Sequence, residues 1–134
     1  MLESNKLSIE LLSIDKAIWQ NITDLVSGDD PEFLINLIST YLSSSQFVFN
    51  NLEKSIMSDS TGELKDKVHA LKSASANIGA LGLVNICGNF EAVLGSGGTQ
   101  DLSCEFAKIK AAYISVCQEL QSLKKDMIKQ GKGQ

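Results

Sequence analysis

Residues 102–127 read LSCEFAKIKAAYISVCQELQSLKKDM, and their apolar positions decide the fold class. Leu102, Phe106, Ile109, Tyr113, Val116, Leu120, Leu123 and Met127 advance by alternating steps of four and three. That spacing draws one continuous stripe along a helix and fits no face of a strand. Thr99 or Asp101 is placed to begin this helix, and Gly131 to end it. Lys124, Lys125 and Lys129 lie in its last turns, where cations complement the helix dipole.

The same period runs upstream. Asp30-Pro31-Glu32 combines a capping aspartate, a proline suited to the first helical position and a favourable early glutamate. The helix it predicts has Leu34, Ile38, Tyr41, Val48 and Leu52 on its core face, with Ser45 as a polar interruption. It should run to about Met57 with a bend at Ser43-Ser44-Ser45. Before it, Asp15 to Ser27 reads as a shorter amphipathic helix with Ile18, Ile22 and Leu25 inward and Trp19 as a core or half-buried anchor. Gly28-Asp29 supplies the turn.

The middle of the chain reads as an antiparallel helix pair. Ser60-Thr-Gly-Glu63 has the pattern of a capping box, predicting a helix from near Thr61 with Leu64, Val68, Leu71, Ser75 and Ile78 inward. Gly79 is its natural stop. The next helix is expected from about Leu81 to Leu94, with Leu83, Ile86, Cys87, Phe90 and Leu94 inward. Gly82 and Gly88 weaken it by roughly 1 kcal/mol each relative to alanine. Gly95-Ser-Gly-Gly98 is then a flexible connection. No stretch alternates as a strand would. The expected fold is therefore all-α: an antiparallel up-down four-helix bundle with a short additional N-terminal helix, forming one domain over residues 1–134 with its core at about 14–130.

Composition narrows the function. The chain has 134 residues, 43% of them hydrophobic and 21% charged, with a net charge of −4. That length and apolar content suit one folded domain. Its twelve basic residues are all lysines, so the basic excess and guanidinium contacts of a nucleic-acid binder are missing. Cys87, Cys104 and Cys117 are an odd number at spacings that fit neither a disulfide framework nor a metal site. Sparse thiols, an N-terminus without a secretory pattern and no apolar run near ~20 residues lead to an expectation of a cytoplasmic protein without membrane insertion.

His69 is the single histidine. The helical wheel places it opposite Leu64, Val68 and Leu71, pointing outward, where position alone describes a solvated surface side chain. One imidazole without clustered partners is no metal site. Cys87 falls on an apolar inward face, which argues against a Cys–His nucleophilic pair. Its neighbours make His69 more than a surface residue. Lys72 is one turn along, and Ser73 and Ala76 are small enough to leave the ring uncovered. Counting back from Gly79 along the partner helix brings Glu91 to the edge of the same groove. A carboxylate accepting Nδ1–H would orient the ring and leave Nε2 free to attack an electrophile.

The stretch His69-Ala-Leu71-Lys72-Ser-Ala-Ser75-Ala-Asn-Ile-Gly79-Ala80-Leu-Gly-Leu83, followed by Cys87 and Phe90-Glu91, resembles the histidine-containing phosphotransfer (HPt) domain of two-component relays. The Gly-Asp-Asp-Pro-Glu-Phe segment at 28–33 and the helix order extend the resemblance over most of the chain. It implies that His69 accepts a phosphoryl group from a receiver-domain aspartate and passes it to another. It also implies that Lys72 stabilises the phosphate and Glu91 orients the ring. Ser73 stands where the family usually has glycine, which would slow docking modestly or lend the phosphate a hydroxyl. Asp66, at i−3, would oppose a phosphoryl group weakly from a screened surface.

The implied partners are response-regulator receiver domains and a hybrid sensor histidine kinase, with Lys65 and Ala76 among the docking residues and Mg²⁺ supplied by the receiver. No cofactor, metal or ATP site is expected on this chain: Gly95-Ser-Gly-Gly98 lacks the Lys-Ser/Thr of a nucleotide cradle. It is expected to be a monomeric phosphocarrier without independent enzymatic activity. Two other readings stay open: an interaction module that takes up no phosphate, and a domain phosphorylated directly by an ATP-binding kinase domain.

Overall fold

The computed structural model describes residues 14–25, 31–58, 61–96 and 102–132. Among these the regular structure is all helical: α1 Lys16–Leu25, α2 Pro31–Ser58, α3 Thr61–Asn77, α4 Leu81–Gly95 and α5 Leu102–Lys132. The turn at Gly28-Asp29, the Asp30 cap, Ser60 of the capping box, Gly97-Gly98 and the alternative caps Thr99 and Asp101 lie outside the described residues.

Helix α2 packs on α3 and α5, and α4 packs on the same two helices, so four helices close a ring around a shared interior. Ile38, Leu52, Leu64, Val68, Leu71, Leu83, Phe90, Ile109, Val116 and Leu120 fill that interior without solvent exposure to speak of. Burying one such side chain contributes roughly 1.5–3 kcal/mol. The stripe read from α5 is inward from Phe106 to Leu120, while Leu102, Leu123 and Met127 pack at its margins. Helix α5 continues through Gly131 to Lys132 instead of stopping at the glycine. One glycine in a final turn costs too little to end a helix that is already formed.

Helix α2 buries Ile38, Tyr41 and Leu52 as expected and departs from the expected face at residue 48. It passes through Ser43-Ser44-Ser45 as one helix, and its buried residues are Ile38, Tyr41, Ser45, Phe49, Leu52 and Ser55. Phe49 takes the inward place expected of Val48, which is only partly buried. Its ring stacks on Phe106 and Tyr113, with centroids 5.3 and 4.8 Å away. The Ser45 hydroxyl pairs with the Tyr113 hydroxyl at 2.7 Å, and Tyr41 pairs with Ser75 at 2.8 Å. These pairs let polar atoms sit in the core without an unmet hydrogen bond. Burial raises the pKa of both tyrosines, that of Tyr41 to about 12.

The end of α3 fixes the site hairpin. Gly79 has φ +86°, Ala80 N–H donates to the Ser75 carbonyl at 2.9 Å, and Gly79 N–H donates to the Ala76 carbonyl at 3.1 Å. This paired closure is a Schellman turn, and the left-handed residue in it favours glycine. Helix α1 is docked against the same turn. Asp15 N–H donates to the Gly79 carbonyl at 2.7 Å, Ile14 N–H donates to Glu119 Oε2 at 3.2 Å, and Asp15 Oδ1 caps Ile18 N–H at 3.0 Å. Trp19 packs half-buried against the core, as an anchor would.

Candidate functional site

Helix α3 turns two faces in opposite directions. Leu64, Val68, Leu71 and Ser75 are buried, while Lys65, Asp66, His69, Ser73 and Ala76 are exposed. The spacing that carries the first set inward forces the second outward. The His69 side chain retains 64% of its exposure, so its ring is open to a macromolecular partner.

The short connection between α3 and α4 folds the second helix back along the first and sets Glu91 beside His69. Glu91 Oε2 lies 3.3 Å from His69 Nδ1, and Oε1 lies 2.5 Å from the Lys72 ammonium. One carboxylate therefore serves two partners a helical turn apart. Oε1 is shut away from solvent, and its contact with Lys72 is an ion pair without the alignment of a hydrogen bond. Glu91 is only 19% exposed, so this charge would be costly without its partners. The close ammonium is the main influence holding its pKa below the ordinary 4.5; burial opposes it and His69 adds to it.

The geometry has a chemical consequence at the ring. A carboxylate at Nδ1 favours the tautomer in which that nitrogen carries the proton and donates it. The lone pair then resides on Nε2. Cys87, one turn before Glu91, is fully buried, and burial pushes its thiol up to about 12, with the Glu91 charge adding to the effect. It is no nucleophile at neutral pH.

Of the residues expected at the site, His69, Lys72 and Glu91 come together. Ser73, Lys65 and Ala76 lie exposed on the His69 helix and touch none of the three through a hydrogen bond or ion pair. The Lys72–Glu91 pair was not foreseen, although the hairpin count that opposes residue 91 to residue 69 also brings it within reach of the next turn. Among the described residues no group of three or more histidine, cysteine, aspartate or glutamate side chains is arranged to hold a metal ion, and no helix is long and apolar enough to cross a membrane.

Comparison with known proteins gives a consistent picture. The sequence model of the Hpt domain matches residues 36–130, which contain the whole of α3 and α4. The fold is similar to the crystal structure of histidine-containing phosphotransfer protein B (HptB) from Pseudomonas aeruginosa PAO1. The two share 17% sequence identity with a TM-score of 0.74, over 84% of this chain and 95% of that one. No curated protein matches the chain.

Proposed function

The chain belongs to the Hpt domain family, whose role is histidine phosphotransfer in two-component systems, and from that premise we propose that it is a phosphorelay intermediate working through His69. In this reading the donor and the acceptor are both aspartates of receiver domains. The observation that carries it is the exposed imidazole whose Nδ1 faces a paired carboxylate while Nε2 stays unencumbered.

The transfer balances on these groups. Nε2 attacks the phosphorus of an aspartyl phosphate in line, the P–Nε2 bond forms, and the P–O bond to the aspartyl group breaks. The bonding pair leaves with the receiver's carboxylate. The imidazole keeps its Nδ1 proton and becomes cationic, and Glu91 faces that new charge. Lys72, one helical turn from His69 and paired with the same Glu91, is the cation that would turn toward the phosphoryl oxygens. Phosphoryl transfer asks mainly for alignment and charge stabilisation, and a side chain held on a packed helix supplies alignment. Mg²⁺ in this scheme belongs to the receiver, and the chain itself acts as a carrier.

The reading also takes the ring of four helices as an antiparallel up-and-down bundle. Partner numbers support it. Moving along α2 from Tyr41 to Ser55, the partner on α3 falls from Ser75 to Glu63. Moving from Ser45 to Glu53, the partner on α5 falls from Tyr113 to Lys110.

The test is to mix the purified chain with a receiver domain carrying labelled aspartyl phosphate and follow acid-labile, base-stable label. The wild-type chain should take up label and the His69→Gln variant should take up none. Equal labelling of the variant would remove His69 from the mechanism.

A further inference from the structure

Helix α4 contains a glycine for which its own fold offers no reason. Gly79 is required by its positive φ, and Gly62 and Gly95 occupy the first turn of α3 and the last residue of α4. Gly88 lies in the interior of α4, where glycine is a poor helix former. A Cβ added there would find no atom within 4 Å among the described residues, its own helix backbone and chain neighbours aside. Its φ is not in the left-handed region either. Neither packing nor backbone conformation keeps a side chain from this position, so an alanine would fit and strengthen the helix.

The surroundings give the vacancy a use. Gly88 precedes Glu91 by three residues, which puts the two on the same side of α4. That side faces α3, because Glu91 reaches both His69 and Lys72. Stepping back from Glu91 along α4 corresponds to stepping forward from His69 along α3, toward Ser73 and Ala76, both small and exposed. Gly88 therefore lies one turn from Glu91 on the partly exposed side of α4 that borders the His69 face, with open space where a side chain would stand.

We propose that Gly88 is a specificity-determining residue for the transfer: its missing side chain admits the rim of a receiver domain's active-site cleft as that cleft closes over His69. A close approach of partner backbone to the helix is what the absence of a Cβ permits. A substituent at residue 88 would hold the phosphorus away from Nε2, and in-line transfer is sensitive to displacements of about 1 Å. This inference rests on the phosphorelay reading above.

The experiment compares two phosphoryl donors on each variant. One is phosphoramidate, a small donor whose P–N bond breaks with loss of ammonia and which needs no docking surface. The other is the receiver domain that charges the wild-type chain fastest among a panel of purified receivers. For Gly88→Ala, Gly88→Leu and Gly88→Gln, the measured quantity is the receiver rate divided by the phosphoramidate rate. That ratio should fall with side-chain size, by at least tenfold for the leucine and glutamine variants, and Gly88→Ala should melt at a higher temperature than the wild type. A ratio that stays within twofold across the series, in variants whose circular dichroism matches the wild type, overturns the role of Gly88 and leaves the relay reading intact. Absence of label on the wild-type His69 from every donor overturns the relay reading itself. The polar glutamine variant guards against an insoluble leucine variant.

Discussion

The hydroxyl of Tyr41 and the hydroxyl of Ser75 meet 2.8 Å apart inside the bundle, which ties α2 to the helix that presents His69. Ser75 is six residues beyond His69 on α3, so this bond helps to fix how that helix is rotated against its neighbour. Neither hydroxyl has water to fall back on. Ser75 is fully buried, and the Tyr41 hydroxyl is the partner that satisfies it.

Removing both should therefore cost less than the two separate removals added together. Tyr41→Phe leaves the Ser75 hydroxyl buried and unpaired, at a cost of about 1–3 kcal/mol. In urea unfolding, the Tyr41→Phe/Ser75→Ala double variant should lose less stability than the sum of the two single variants. Strict additivity would show that the two groups do not depend on each other.

Gly79→Ala tests the turn between α3 and α4. A Cβ at this residue would lie 3.0 Å from Ile18 Cγ2, on a backbone with φ +86°. Conformational strain and crowding against α1 act in the same direction, and the expected loss is roughly 1–2 kcal/mol. Thermal melting would read it directly, and an unchanged midpoint would contradict the tight seat of α1.

Glu91 should titrate below its ordinary value of 4.5, because the Lys72 ammonium favours its charged form. The stabilisation this brings is complete above the unfolded value and disappears as pH falls through the lower folded value. Carbon NMR of the Glu91 carboxyl group should show the depressed midpoint, and Lys72→Met should move it upward. Glu91→Gln, which removes the charge facing Nδ1, should slow phosphoryl uptake by His69 about tenfold, the worth of one charge-assisted hydrogen bond.

Thiol reactivity offers a separate check on the core. Cys104 is exposed, whereas Cys87 is buried with its pKa raised to about 12. A water-soluble disulfide reagent at pH 8 should modify Cys104 in the folded chain and Cys87 only after denaturant is added. Fast modification of Cys87 in the native state would mean that α4 is not packed as described.

What could be read from one dimension was whatever depends on local period. The α5 stripe, the outward placement of His69 and the stop at Gly79 all follow from residues within a few turns of one another. The approach of Glu91 to His69 was also readable, since a short turn makes opposite positions a matter of counting. On α2 the inward places of Ile38, Tyr41 and Leu52 were readable, and the choice of Phe49 over Val48 was not. Phe47, Val48 and Phe49 are consecutive apolar residues, so periodicity alone does not choose among them. The choice is made by Ser45, whose partner Tyr113 is 68 residues away, and by the stacking of Phe49 on α5. A serine reads as an interruption until the hydroxyl that satisfies it is known. The seat of α1 depends likewise on Gly79 and Glu119, distant groups that leave no trace in the pattern of residues 14–25.

The hairpin of α3 and α4 has a practical corollary. Imidazole, ammonium and carboxylate all fall within residues 69–91, joined by a turn of defined geometry. The reactive trio is thus a contiguous cassette that could be transplanted into a foreign scaffold as a single piece. The graft would leave behind the two flanking helices, and with them the hydroxyl of Tyr41 that grips Ser75. A recipient would have to supply its own brace before the transplanted histidine held its aim.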